Sequence, residues 1–177
     1  MDDRLLRGRV KKLHFTDKRN FVMIQKLDGL WSTAKLREMG IEFFAGGNEW
    51  SLDQDQRFGL DQFVHLCWDY GHPMAYYVRE RGDGIQLFYL QIAPAILDEP
   101  GVLFSPGVSN AVGMRTYSVR EAVDGNMIDH DALERKIGSL REPAAQERRQ
   151  KAEKSEILVP DHLPLKFILN LPEETNG

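Results

Sequence analysis

A single cysteine, Cys67, stands among 177 residues, so there is no internal disulfide framework and a reducing, cytoplasmic setting is expected. No apolar run approaches the ~20 residues of a membrane span. The opening, MDDRLLRGRVKKLHF, lacks the apolar segment of a signal peptide. A net charge of -4 argues against a protein that coats duplex DNA through many phosphate contacts. There is no internal repeat and no low-complexity tract. Cys-x-x-Cys is missing, and the spacings of His65, Cys67, His72 and His130 match no zinc pattern. The zinc deaminase signature is absent as well. Gly46-Gly47 is no phosphate loop, because no Walker lysine follows and no GxGxxG succeeds a strand.

What remains is the make-up of one ordinary globular domain: 42% hydrophobic and 28% charged residues are enough to build a core. A single domain is expected, with its core at about residues 9–170. Basic residues gather in two places. Arg4, Arg7, Arg9, Lys11, Lys12, Lys18 and Arg19 crowd the start, and Arg148, Arg149, Lys151 and Lys154 precede a late strand. Taken alone, both clusters read as solvated faces.

The richest stretch is Leu13 to Ser32, LHFTDKRNFVMIQKLDGLWS. Lys11 to Phe15 reads as a strand. His14 and Thr16, two apart, then point to one face. Asp17 to Leu27 reads as a helix capped by Thr16 or Asp17, with Phe21, Ile24 and Leu27 on its apolar side. Gly29 is expected to end it in a left-handed cap. A helix start offers unpaired N–H groups and a positive dipole end. His-x-Thr beside such a start, followed by Gly29-Leu30-x-Ser32, suits the ribose and phosphates of a nucleotide. By itself His14 would be a satisfied strand histidine. The two-histidine phosphoesterases also use His-x-Thr, but in two copies, and His65-Leu66-Cys67 lacks the hydroxyl.

Further along, Thr33 to Met39 reads as a short helix and Phe43 to Phe58 as a long polar loop, a length often linked to function. Trp50, within that loop, is the aromatic best placed to stack on a base. Phe63 to Trp68 and Ile85 to Ile92 read as strands. His72-Pro73-Met74 opens a helix running to Gly82. Ser118 to Val123, Asp131 to Ile137 and Ala144 to Lys154 read as helices. Ser155 to Val159 and Leu165 to Leu169 read as the last strands, and Glu173 to Gly177 as a tail. Interspersed strands and helices give an α/β (α+β) domain. Glu156 opens the apolar strand SEILVP. A carboxylate there could hold a ribose hydroxyl, stabilise an oxocarbenium-like transition state or act as a base. Alone it would read as a surface glutamate beside a basic helix.

The order LHFTD, N, I, GLWS, then GGNEW, then FVHLCW with HPM, then SEILVP resembles the DarT-type nucleic-acid ADP-ribosyltransferases, toxins of toxin–antitoxin systems. The resemblance runs from about Leu13 to Ile168. It implies a split, strongly bent sheet with surrounding helices that grips NAD in a central cleft, with no metal. His14 and Thr16 would take the adenosine side of NAD, with Asn20, Gly29, Leu30 and Ser32 lining the site. Glu156 would be the catalytic residue, and Arg57 the arginine that contacts NAD or the reacting centre. Many relatives carry an arginine before Pro-Met, and here His72 stands nearby. Lys154 occupies the position two before the glutamate, where many ADP-ribosyltransferases have Gln or Glu, so a polyanion is the better acceptor. Arg148, Arg149 and Lys154 would hold a nucleic-acid backbone.

The implied activity is pentosyl transfer from NAD to a base in single-stranded DNA or RNA by a monomer without a membrane partner, kept in check by a macrodomain antitoxin. Two alternatives stand beside it. One is an RNA 2′-phosphotransferase on the same fold, and the other is a catalytically silent nucleic-acid-binding module.

Overall fold

Short apolar stretches broken by glycine and aspartate make short strands, and pairs of them assemble this fold. The computed structural model describes residues 11–45, 49–72, 75–76, 80 and 84–172. Strand β1 (Leu13–Asp17) passes through a tight 3-10 turn, Lys18–Asn20, into helix α1 (Phe21–Lys26). Then come β2 (Gly29–Trp31), α2 (Thr33–Glu38), α3 (Glu49–Arg57), β3 (Phe63–Leu66) and β4 (Leu87–Gln91). Strands β5 (Leu103–Ser105) and β6 (Tyr117–Ser118) lead to α4 (Val119–Asp124), α5 (His130–Glu134) and α6 (Pro143–Glu153). Strands β7 (Glu156–Pro160) and β8 (His162–Pro164) follow.

The strands form three antiparallel groups, β1–β4, β2–β8 and β3–β7–β5–β6. Backbone bonds stitch the groups together. Leu13 and Cys67 exchange N–H···O bonds of 2.8 Å, which hooks β1 onto the end of β3. The Asp161 N–H donates to the Gln62 carbonyl, and the Asp161 carbonyl accepts from the Ser32 N–H, each at 2.8 Å. The result is a split sheet with flanking helices, as the family resemblance implied. Ile24, Leu66, Leu90, Phe104, Ile157 and Leu163 meet between the groups as the core. Ile157, Leu158 and Val159 of β7 are all buried, which is why that strand reads as a continuous apolar run rather than an alternating one.

Several elements differ from the sequence expectation. The first strand runs on to Asp17, whose carboxylate accepts from the Arg19 N–H at 2.8 Å, so α1 begins only at Phe21. Asp28 takes the left-handed turn (φ 55), and Gly29, with φ 134, already belongs to β2. Half of the presumed 43–58 loop is helix α3. Its polar composition hid a segment free of Gly and Pro, with Ser51, Leu52 and Asp55 on one side. The last expected strand is instead the 3-10 turn Leu165–Phe167, because Pro164 ends the ladder that His162–Pro164 makes with β2. Ala75, Tyr76 and Glu80 are helical, while Pro73, Met74 and Tyr77 lie outside the described residues. So do Arg4, Arg7, Arg9, Gly46, Gly47 and the segment 173–177.

Gly29 is the tightest point of the β2–β8 ladder. A Cβ there would overlap the Leu163 carbonyl and sit 2.9 Å from the Leu165 nitrogen. With that φ added, Gly29→Ala is expected to cost about 2 kcal/mol or more. The check is a urea midpoint that drops with unchanged slope. An unshifted midpoint would show that this close approach is not needed.

Candidate active site

Glu156 begins β7, where its backbone pairs with Ser105 of β5. Its side chain is only 8% exposed. One oxygen, Oε2, accepts from the Ser109 N–H at 3.1 Å and lies 3.5 Å from Nδ1 of His65. The other, Oε1, lies 3.3 Å from Nε2 of His72. His65 stands opposite Leu158 in the β3–β7 ladder, two residues along from Glu156, so the two side chains share a face. Burial works against a charged Glu156. The hydrogen bonds and charge of His65 and His72 outweigh it and hold the carboxyl far below the usual range.

The histidines divide into two states. Burial lowers His14 to about 4, so its ring is neutral. Its Nδ1–H donates to the His65 carbonyl at 3.0 Å, which leaves Nε2 as the acceptor. Burial also works against a charged His65, yet Glu156 and Asp55 raise it to about 9. The Nε2–H of His65 donates to the Leu60 carbonyl at 3.0 Å.

Asn20 joins β1 to the segment above it. Its Nδ2 donates to Thr16 Oγ1 at 3.1 Å and to the Phe44 carbonyl at 2.9 Å, while its Oδ1 accepts from the Phe44 N–H at 2.9 Å. The Arg19 guanidinium lies 3.6 Å from the Phe44 ring centre and also pairs with Asp17. Across the site, Asn110 Nδ2 donates to Asp55 Oδ1 at 2.9 Å and to Ser51 Oγ at 3.3 Å. Burial raises the Asp55 carboxyl.

These groups surround one cavity of about 170 Å³. That is roughly ten times what a single water requires. Its lining is largely apolar, with Ile24, Leu30, Leu36 and Phe43 among the side chains, and also carries Glu156, His65 and Ser109. No lysine or arginine is among the described residues that line it. No group of three or more His, Cys, Asp or Glu among the described residues is arranged for a metal. An apolar lining with an ionised, oriented carboxylate suits a flat ring attached to a sugar whose reacting carbon gains positive charge.

Of the residues singled out in the sequence, His14, Thr16, Asn20, Leu30, His72 and Glu156 line this cavity. The others are elsewhere. Gly29 packs on Leu163, and Ser32 caps α2 by accepting from the Lys35 N–H. Arg57 is exposed at the end of α3 and is no part of the lining, because the helix turns its Asp55 side inward instead. Arg149, 2% exposed, is held by Asp69, Glu153 and the Arg135 carbonyl, so it offers nothing to a nucleic-acid backbone. Exposed Arg148 pairs with Asp129 at the edge of a second cavity, and exposed Lys154 ends α6. The Trp50 side chain lies outside the described residues. His65, Asp55, Ser109 and Asn110 were not singled out as site residues, since the ladder and turns that gather them leave no local motif.

The two histidines give stability opposite slopes. His65 holds its proton more tightly when folded, so its stabilisation is full below pH 6.5 and is lost as pH rises towards about 9. His14 resists its proton when folded, so stability is full above pH 6.5 and falls as pH drops towards about 4. Urea stability between about pH 5 and about pH 8 is expected to peak near pH 6.5, with the alkaline fall reduced in Glu156→Gln. A flat profile over that span contradicts these assignments.

The chain is similar to known proteins in sequence profile and in fold. The profile of the family described as ssDNA thymidine ADP-ribosyltransferase, DarT, matches residues 13–172. Among solved structures, Thermosipho africanus DarTG in complex with ADP-ribose aligns over 90% of this chain and 42% of its own, with TM-score 0.70 and 17% identity. The chain therefore spans less than half the length of that relative. Thermus sp. 2.9 DarT in complex with ADP-ribosylated ssDNA aligns over 90% of this chain and 78% of its own, with TM-score 0.66 and 14% identity. The same protein with NAD+ gives 91% and 80%, TM-score 0.63 and 14% identity. At such identities the likeness establishes the fold. No curated protein matches the sequence significantly. With the family profile covering nearly the whole chain, this protein belongs to the DarT family of ssDNA thymidine ADP-ribosyltransferases.

Proposed function

We propose that this chain, as a single domain over residues 1–177 with its core at about 9–170, transfers ADP-ribose from NAD to a thymine base in single-stranded DNA. The observation that carries this reading is Glu156: ionised and buried, it faces the cavity that His14 also lines. NAD would supply the ADP-ribosyl group and leave as nicotinamide. Glu156 is the catalytic residue. Its carboxylate stabilises positive charge at the sugar carbon and accepts the proton released by the base. His14, with Nε2 as acceptor, and Thr16 would take the adenosine ribose, and Leu30 and Phe43 the flat rings. His72, 3.3 Å from Glu156, holds the carboxylate rather than the acceptor strand. A base in a duplex would first have to be flipped out, at a cost of a few kcal/mol.

The 2′-phosphotransferase alternative needs cations to grip a phosphate, and the described lining has no lysine or arginine. A DNA-modifying activity harms its own cell, so we also infer a neutralising partner of the macrodomain ADP-ribosyl hydrolase type. The chemistry of DNA modification and the DarTG relative support it.

Incubation with labelled NAD and oligonucleotides tests the reaction. Single-stranded DNA containing thymine is expected to be labelled, with duplex DNA and RNA far behind. Glu156→Gln is expected to lower the rate roughly 10²–10⁴-fold while the fold persists. Labelling that survives this substitution removes Glu156 from the chemistry, and labelling of RNA alone replaces the acceptor.

A further inference from the structure

Building on that reaction, we propose that His65 is a positioning residue: a positively charged imidazolium beside Glu156 that fixes the catalytic carboxylate. The family resemblance implied an arginine, Arg57, at the cofactor or the reacting centre. Arg57 lies outside the cavity, and no other arginine or lysine is among the described residues lining it. The charge comes from β3 instead.

Hydrogen-bond geometry leads to the same state. Nε2 of His65 faces the Leu60 carbonyl at 3.0 Å, and a carbonyl only accepts, so this nitrogen carries a proton. Nδ1 faces the Glu156 carboxylate at 3.5 Å, and a carboxylate also only accepts when ionised. The Ser109 hydroxyl, also 3.5 Å from Nδ1, can donate or accept, so with the carboxylate as its partner this nitrogen acts as a second donor and the ring is the cation. The His65 backbone carbonyl is fixed too, because the His14 Nδ1–H donates to it. One residue thereby links His14 to Glu156.

The groups facing His65 favour this charge. From α3 comes Asp55, and from β7 Glu156. Ser109 Oγ lies 3.5 Å from Nδ1. His14 of β1 is neutral, held low at about 4 by burial. Cys67, past the end of β3, is a neutral thiol, pushed up to about 12 by burial. Asp61 adds negative charge beyond Asp55, and His72 shares Glu156 from the opposite oxygen. Against its burial, His65 stays protonated to about pH 9. With His65 gone, Glu156 loses one of its two side-chain donors and the orientation that goes with it.

The test pairs a pH–rate profile with nuclear magnetic resonance of the imidazole nitrogens. Wild-type transfer to a thymine-containing oligonucleotide is expected to decline as pH rises through about 9. His65→Gln should lower kcat by about 10–100-fold, the worth of one charge-assisted hydrogen bond. Its KM for NAD should stay nearly constant, and its decline at high pH should vanish. A His65→Gln profile with the wild-type shape overturns the proposal. In the wild-type protein at neutral pH, both His65 nitrogens should show the shifts of protonated imidazolium. A neutral ring overturns the proposal even if the variant does not fold. Wild-type protein that transfers nothing refutes the reaction itself, while the resonance measurement still decides the charge of His65.

Discussion

A carboxylate removed from water as fully as Glu156 is unfavourable unless charge and hydrogen bonds replace its hydration. Three parts of the chain replace it. The Ser109 N–H comes from the turn after β5, His65 from β3, and His72 from the segment that follows β3. These donors converge only because β7 lies between β3 and β5 in one ladder. The ladder in turn depends on Ile157 and Val159, which anchor β7 in the core. The charged site is thus a consequence of apolar packing, and its partners were selected by register rather than by sequence proximity.

The same arrangement separates two histidines into two chemical roles. His14 and His65 are neighbours across β1 and β3, yet one is a neutral acceptor and the other a cation. Nothing intrinsic to imidazole distinguishes them. Half-buried His14 meets a backbone carbonyl, whereas His65 lies against the Glu156 carboxylate with the charge of Asp55 nearby. Environments that push similar groups apart in this way mark sites where acid and base functions are assigned. Asn20 also lines the cavity, gripping Thr16 of β1 locally and the Phe44 backbone 24 residues on.

Local parts of this design were readable in the chain. His14, Thr16 and Asn20 sit within one strand–turn–helix, and Glu156 opens an unmistakably apolar strand. Long-range parts were not. His65 reaches Glu156 across 91 positions of sequence, and its strand pattern alone reads as core. Arg149 looked like one of a run of solvated cations, but Asp69, 80 positions away, and Glu153 draw it inside. Lys12 likewise sits in a basic run and is buried against Trp68. Helix α3 was hidden because its inward polar residues, Asp55 and Ser51, meet Asn110 at the cavity rather than the core. Charge and composition predict where side chains can go, while tertiary partners decide where they do.

On the proposed reading, one cavity holds a dinucleotide between His14 and Glu156. A crystal structure with a non-hydrolysable NAD analogue tests it directly. The account predicts the adenosine ribose within hydrogen-bond reach of His14 Nε2 and the second ribose within reach of the Glu156 carboxylate. An analogue bound anywhere else, or a ribose turned away from Glu156, contradicts it.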